Sequence, residues 1–106
     1  MKILVADDDR VACRLLESVL TRWGYEVVAV ADGAAAVEVL SRDDHPPMAI
    51  LDWMMPGLTG LEFCQRVREQ DNLAHLYLVV LTSKDSTDPA ELRARVRVGE
   101  RVARRQ

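Results

Sequence analysis

The sequence predicts an α/β domain in which helices cover both faces of a parallel sheet. Four short segments are apolar throughout, as buried parallel strands are, instead of alternating between apolar and polar residues. Between them, apolar residues recur with the period of a helix, so strands and helices alternate along the chain. The 106 residues, 49% of them hydrophobic, suffice for one core. We expect about four strands and four helices in a single domain at 1–106, divided into an α/β core at 1–88 and a C-terminal helix at 89–106.

The first half of the chain supplies two strands and two helices. The first helix has apolar residues at helical spacing and is followed by Gly24, a residue typical of helix C-termini. Asp32 is a suitable N-cap for the second helix. The expected elements are the strand Lys2–Ala6, a helix from Val11 with a helical stripe of apolar residues at 11, 12, 15, 16, 19, 20 and 23, the strand Glu26–Val30 and the helix Ala34–Leu40.

The second half repeats this alternation. Pro46 and Pro47 prevent the second helix from continuing, because proline lacks the N–H that a helix interior needs. Asp88 and Pro89 occupy the cap and first-turn positions of the last helix. The expected elements are the strand Met48–Leu51, the helix Leu61–Arg68, the strand Leu76–Leu81 and the helix Pro89–Arg104.

Composition argues against several classes of protein. No apolar run approaches the roughly 18 residues of a membrane span, and three aspartates follow the first strand, where no signal peptide tolerates them. We therefore expect a cytoplasmic protein with no membrane contact. Cys13 and Cys64 form neither a disulfide framework nor a C-x-x-C pair, and both are expected to be small core residues. Residues 89–106 contain six arginines, but the rest of the chain is acidic. A solvated helix face is therefore favoured over direct binding of nucleic acid.

Polar side chains stand where three of the four strands end. Asp7 and Asp8 follow the first strand, Asp52 the third, and Thr82 the fourth. Ligands of open α/β sheets bind outside these carboxyl ends. Carboxylates that converge there repel one another unless a cation lies among them, and hard oxygen ligands suit Mg²⁺. A carboxylate beside that ion is a competent nucleophile toward phosphorus, and a hydroxyl such as that of Thr82 can hydrogen-bond the attached phosphoryl group.

Each of these aspartates also has a simpler interpretation as a helix cap. A single aspartate after a strand more often caps a helix than binds a ligand, and Asp9 is expected to do so for the first helix. Asp7, Asp8 and Asp52 are harder to explain in this way, because they lie at two strand ends and a helix needs one cap.

Three stretches of the sequence resemble the receiver domain of two-component response regulators: KILVADDD at 2–9, LDWMMPGLTG at 51–60 and VLTSK at 80–84. The resemblance runs from residue 2 to about residue 86 and implies a flavodoxin-like fold. It further implies that a histidine kinase or phosphotransfer protein is the donor of a phosphoryl group, and that the domain is not itself an enzyme.

The same resemblance assigns roles to individual residues. Asp52 would be the phosphoacceptor, and Asp7 and Asp8 the acidic pair that holds Mg²⁺ together with Asp52. The backbone carbonyl of Met54 would be a further metal ligand. Thr82 would be the hydroxyl residue that moves toward the phosphoryl group on activation.

The chain departs from the receiver pattern after its fourth strand. A fourth helix, a fifth strand and a Lys-Pro pair are missing, together roughly 20 residues. Lys84 either replaces the missing lysine or is a solvated loop residue, and the second alternative is favoured. The last helix would lie beside the first, while the fourth strand becomes an edge at which Leu76, Leu78 and Val80 lose their cover on one face. Because exposed apolar edges seek partners, we expect a homodimer, through edge pairing, helix packing or a domain swap.

Three functions are therefore in competition. The first is a receiver that is phosphorylated on Asp52 and whose switching is impaired or altered. The second is a non-switching dimerisation or scaffold domain derived from a receiver. The third is a metal-dependent phosphohydrolase, ranked last because a D-x-D nucleophile motif is absent and Met54 occupies its second position.

Overall fold

The computed structural model describes residues 1–52, 60–70, 76–81 and 89–104 and confirms the α/β architecture. Strands and helices alternate as expected, and no boundary differs from its expected position by more than one residue. The elements are β1 Lys2–Ala6, α1 Arg10–Arg22, β2 Glu26–Val30, α2 Gly33–Leu40, β3 Met48–Asp52, α3 Gly60–Arg68, β4 Tyr77–Leu81 and α4 Pro89–Arg104.

The four described strands form one sheet in the order β2-β1-β3-β4, and every neighbouring pair is parallel. Apolar residues dominate all four, and β3 is buried along its whole length. Because the strands are parallel, their carboxyl ends meet at a single edge of the sheet. The register is fixed there by the pairing of Ala6 with Leu51.

Two hydrophobic clusters lie on the two faces of the sheet. Alternate residues of each strand point to opposite faces, so that Ile3 and Val5 belong to one cluster and Leu4 and Ala6 to the other. Helices α1 and α4 cover the first face, and α2 and α3 cover the second. The last helix therefore lies beside the first, as the shortened sequence requires.

The predicted caps of α1 and α2 are confirmed, whereas Asp88, the expected cap of the last helix, lies outside the described residues. The Asp9 carboxylate accepts hydrogen bonds from the backbone amides of Val11 and Ala12, at 2.9 and 3.3 Å, and so caps α1. The Asp32 carboxylate accepts one from Ala35 at 2.7 Å at the start of α2. Gly24 adopts a φ of +97° just after α1, a conformation that residues with a side chain rarely adopt. These local interactions set the ends of the two helices nearest the amino terminus.

Helix α4 is held by close packing on the sheet and by two contacts with the turn after α1. At Gly99 the helix comes so near the sheet that a Cβ atom would lie 2.7 Å from Met48 Cε and 2.7 Å from Tyr77 Cδ1. The Tyr25 hydroxyl donates a hydrogen bond to Glu100 Oε2 at 2.6 Å. The Arg93 guanidinium lies 5.3 Å from the centre of the Trp23 ring, within the range of a cation–π contact.

The expectation that one face of β4 loses its cover is only partly correct, because that face is still partly buried. Leu76 is buried, and Leu78 and Val80 are half-buried against the cluster under α2 and α3. Phe63 and Val67 of α3 belong to that cluster and bring apolar surface to this face of the sheet. Among the described strands, β4 is therefore an edge strand whose face toward α2 and α3 is partly covered.

Three arginines of the basic end lie on the solvated face of α4, as expected. The side chains of Arg95, Arg97 and Arg101 are exposed, and Arg95 pairs with Glu91 at 3.1 Å within the helix. In the part of the chain that the structure describes, every helix is too short or too polar to cross a membrane.

The close approach at Gly99 predicts the effect of filling it. We expect Gly99→Val to lower the free energy of unfolding by about 1–3 kcal/mol, because the new side chain must displace Met48 and the Tyr77 ring. Urea unfolding followed by circular dichroism measures the change. Ala94→Val, at an exposed position of the same helix, is the matched control and should cost only about 0.5 kcal/mol through helix propensity. Equal losses in the two variants would contradict the packing at Gly99.

Candidate metal centre at the carboxyl edge of the sheet

The acidic site is built by the register of two adjacent strands. Asp7 comes directly after β1, and Asp52 is the last residue of β3. Because Ala6 pairs with Leu51, the next residues along the two parallel strands, Asp7 and Asp52, stand side by side. Asp8 follows Asp7 in the turn that leads into α1. The sequence-based expectation that these three residues converge agrees with the structure.

One carboxylate oxygen from each of Asp7, Asp8 and Asp52 lies within 4.8 Å of the other two. The side chains differ in access to solvent, since Asp7 and Asp52 are each only 5% exposed and Asp8 is exposed. The site is thus closed on the side of the sheet and open on the side of Asp8.

Asp7 is oriented by main-chain hydrogen bonds on both sides. Its Oδ1 atom accepts a hydrogen bond from the backbone amide of Asp9 at 2.9 Å, and its own amide donates to the carbonyl of Val30 at 3.2 Å. The Asp9 carboxylate is turned the other way, onto the first turn of α1. The three consecutive aspartates therefore have distinct positions. Asp7 lies at the buried floor of the site, Asp8 at its exposed rim, and Asp9 at the start of α1, which it caps.

The donor set fits a hard divalent cation. Three carboxylates this close, two of them buried, repel one another strongly because little water screens their charge. A cation among them converts that repulsion into attraction, and oxygen ligands with access to water on one side are typical of Mg²⁺. Asp7, Asp8 and Asp52 would hold the ion, and it would supply positive charge next to any anionic group brought to Asp52.

Several predicted residues lie outside the described part of the chain. Met54, Thr82 and Lys84 fall in the segments 53–59 and 82–88, and the side chain of Cys64 is also outside it. Their expected roles therefore stay predictions.

A shallow cleft of about 320 Å³ adjoins the acidic site, between the first turns of α1 and the end of β2. Its walls include Asp7 and Asp8 on one side and the side chains of Arg10, Cys13 and Arg14 on the other. Sequence reasoning missed the two arginines, although their spacing of four residues places them on one helix face.

The apolar stripe of α1 is wider than the face that the helix buries. Val11 and Leu15, two residues of that stripe, are 69% and 62% exposed. Leu16 and Leu20 are buried against the sheet, and Cys13 and Trp23 pack beside them on the same cluster. An exposed apolar pair therefore lies on the first two turns of α1, near the acidic site.

Comparison with known proteins decides the family. Residues 3–98 match the response regulator receiver domain. The chain belongs to the response regulator receiver domain family. The match extends into α4, beyond the three motifs by which the sequence resembles receivers.

Individual relatives of this receiver domain agree with that assignment. The uncharacterized transcriptional regulatory protein YrkP of Bacillus subtilis is 43% identical over 82 residues, which are 77% of this chain and 35% of YrkP. The response regulator PleD of Caulobacter vibrioides is 38% identical over 84 residues, 79% of this chain and 18% of PleD. The receiver domain thus spans about a third or less of these relatives.

A solved structure shares the fold. The receiver domain of the sensor histidine kinase PA1611 from Pseudomonas aeruginosa matches with a TM-score of 0.82 and 25% identity, over 96% of both chains. That structure is described as having a magnesium ion coordinated in its active site cleft.

Cys13 is only half-buried, so the expectation of a core residue is met in part. It packs against the cluster under α1 and α4 and also borders the cleft. Burial, together with the carboxylates of Asp7 and Glu17, raises the pKa of the Cys13 thiol. The neutral thiol is therefore favoured in the folded receiver, and the thiol ionises at higher pH than in the unfolded chain.

This shift in the pKa of Cys13 is measurable by alkylation. We expect the rate of Cys13 modification by iodoacetamide to rise with pH along a curve whose midpoint lies higher in the folded protein than in urea. Mass spectrometry of the Cys13 peptide measures the rates. Glu17→Gln should lower the folded midpoint because it removes one of the nearby negative charges, and Glu38→Gln on α2 should leave it unchanged. Identical midpoints in folded and unfolded protein would contradict the raised pKa.

Proposed function

We propose that this receiver domain accepts a phosphoryl group on Asp52 from a histidine kinase or a phosphotransfer protein, with Mg²⁺ as the cofactor held by Asp7, Asp8 and Asp52. The convergence of these three carboxylates within 4.8 Å at the carboxyl edge of the sheet carries the proposal. The magnesium ion of the related PA1611 receiver supports it.

The chemistry follows from the position of Asp52. A carboxylate oxygen of Asp52 attacks phosphorus and forms an O–P bond, while the P–N bond of the donor phosphohistidine breaks. The leaving imidazole retains the electron pair and takes up a proton. Asp7 and Asp8, with Asp52, would hold the Mg²⁺, whose positive charge would offset the negative charge on the phosphoryl oxygens. Because Asp52 is fixed at the end of a buried strand, its carboxylate is positioned before the donor arrives.

The first turns of α1 border the acidic site, since Arg10 and Arg14 line the same cleft as Asp7 and Asp8. Val11 and Leu15 expose apolar surface there, flanked by the exposed Arg10 and Arg14. Apolar residues ringed by arginine are typical of protein interfaces. We therefore assign the exposed face of α1 at Val11 and Leu15 to the protein that carries the phosphohistidine.

The remaining parts of the proposal rest on the sequence. Switching is impaired or altered, because the fourth helix, fifth strand and Lys-Pro pair of receivers are missing after β4. The domain is a cytoplasmic phosphoacceptor and not an enzyme that turns over a substrate, and a second copy of the chain is a partner. The non-switching scaffold is the alternative, and both functions use the same fold.

Phosphorylation of Asp52 is tested by intact mass. We expect incubation with Mg²⁺ and acetyl phosphate to add one phosphoryl group to the parent chain and none to Asp52→Asn. Chelation of the metal should abolish the adduct, because the carboxylates then repel the anionic donor. Asp44→Asn, in an exposed loop, is the matched control and should be labelled like the parent.

Two other outcomes of that experiment have definite meanings. A folded protein without an adduct would contradict the phosphoacceptor and favour the scaffold domain. Repeated turnover of a small phosphate ester, with many cycles per protein molecule, would instead favour the phosphohydrolase.

Docking of the donor on α1 gives a separate prediction. Leu15→Glu should slow phosphoryl transfer from a purified phosphohistidine protein about ten-fold, because it removes apolar contact area from the interface. Labelling by acetyl phosphate should not change, since a small donor does not touch this face. Ala94→Glu, at an exposed position of α4, should leave both rates unchanged. Equal slowing with both donors would show that Leu15 acts on the site itself and would contradict the docking face.

A further inference from the structure

The sequence of β4 lacks the charged residues and prolines that usually protect an edge strand. In the described residues, β4 pairs with β3 on one side and with no strand on the other. Its sequence, Tyr-Leu-Val-Val-Leu, contains no charged residue, proline or glycine. Charges, prolines and bulges are the features by which edge strands avoid pairing with other chains. An apolar strand without them is a site at which another strand can bind.

The main-chain groups available at this edge can be identified. The Tyr77 amide donates a hydrogen bond to the carbonyl of Pro47 at 3.1 Å, so the main chain of Tyr77 faces the β3 side. Main-chain groups alternate in direction along a strand, and those of Val79 and Leu81 therefore face the same way. Leu78 and Val80 direct their N–H and C=O groups to the outer side.

Helix α4 presents two partly exposed valines, Val98 and Val102, above the same edge. Arg93 and Glu100 face the turn after α1, through Trp23 and Tyr25. At about 100° per residue, the opposite side of the helix carries Glu91, Arg95, Val98 and Val102. Val98 is 47% exposed, Val102 is half-buried, and Glu91 and Arg95 pair with each other. This side of α4 therefore combines two valines with an ion pair that is internally neutral, a composition that does not oppose contact with a second copy of the same surface.

We infer that β4 pairs with the β4 strand of a second copy of this chain, related to it by a two-fold axis. A two-fold axis perpendicular to the sheet makes the two strands antiparallel and the contact self-complementary. Full overlap of Tyr77–Leu81 places Val79 opposite the second copy's Val79. Leu78 then exchanges main-chain hydrogen bonds with Val80 of the second copy, and the eight described strands form one sheet.

The position of α4 is compatible with this pairing. The helix packs on both β3 and β4, so its axis lies above the space between them. Strands are about 4.8 Å apart, and the two α4 axes of the dimer would consequently be about 10 Å apart. That distance is within the range of packed helices and brings Val98 and Val102 into the contact.

The dimer leaves both acidic sites accessible. Because the two β4 strands are antiparallel, their carboxyl ends point in opposite directions, and the two sites lie at opposite ends of the combined sheet. The inference specifies the surface of the homodimer proposed above and is independent of phosphorylation. Its failure would leave the role of Asp52 untouched, since the mass of the phosphorylated chain tests that role separately.

Light scattering coupled to size exclusion, over a range of protein concentrations, measures the dimer dissociation constant. Val80→Pro removes an outward N–H but no bond to β3, and proline is tolerated where the N–H faces outward. We expect it to weaken the dimer about ten- to a hundred-fold, because two main-chain hydrogen bonds are lost per dimer. Val98→Glu, at an exposed position, should weaken it as well. Ala94→Glu, exposed on another side of α4, is the control and should leave the dimer intact.

A disulfide tests the register directly. In a background with Cys13→Ala and Cys64→Ala, Val79→Cys should form a covalent dimer on oxidation, because directly opposed antiparallel residues of this kind have Cα atoms about 4.5 Å apart. Val28→Cys, at the centre of the other edge strand β2, should not.

The opposite results would overturn the inference. A parent chain that stays monomeric at concentrations up to the solubility limit excludes the dimer. A dimer that survives both Val80→Pro and Val98→Glu uses another surface, and cross-linking through Val28→Cys but not Val79→Cys identifies that surface as β2. Circular dichroism shows whether Val80→Pro folds, and Val98→Glu provides the test if it does not.

Discussion

The register between β1 and β3 is the constraint on which the site depends. Pairing of Ala6 with Leu51 puts two aspartates side by side at the ends of buried strands, where their charges are poorly screened. A slip of one residue would turn every side chain of the strand to the opposite face. The aliphatic core therefore does more than hold the sheet together, because it also keeps Asp7 and Asp52 adjacent against their mutual repulsion.

Much of the fold was predictable from local patterns. Apolar runs gave the strands, helical spacing gave the helices, and Asp9 and Asp32 could be assigned as caps because capping depends on neighbours in sequence. The convergence of Asp7, Asp8 and Asp52 was also predictable, since parallel strands end at one edge. Each of these inferences needs only local sequence and the rule that parallel strands share a direction.

The features that sequence reasoning missed depend on distant contacts. The exposure of Val11 and Leu15 depends on how much of α1 the sheet can cover, which a helical stripe does not reveal. The partial burial of Leu78 and Val80 depends on where α3 lies. The hydrogen bond between Tyr25 and Glu100 joins residues 75 positions apart, and the sequence around neither residue indicates that the other is its partner. In each case the exposure or the contact depends on an element that is distant in sequence, and local patterns do not show where that element lies.

That hydrogen bond also has a consequence for the order of folding. Residues 1–52 contain β1, β2 and β3 with two connecting helices, and their contacts close short loops. Helix α4 can dock only when β4 and the turn at Tyr25 are both in place, so its docking closes the longest loops in the chain. On the ribosome, the β1–α1–β2 unit emerges long before α4 does. Until then the face of the sheet beside α1 stays uncovered, and the newly made chain is exposed to aggregation during that interval.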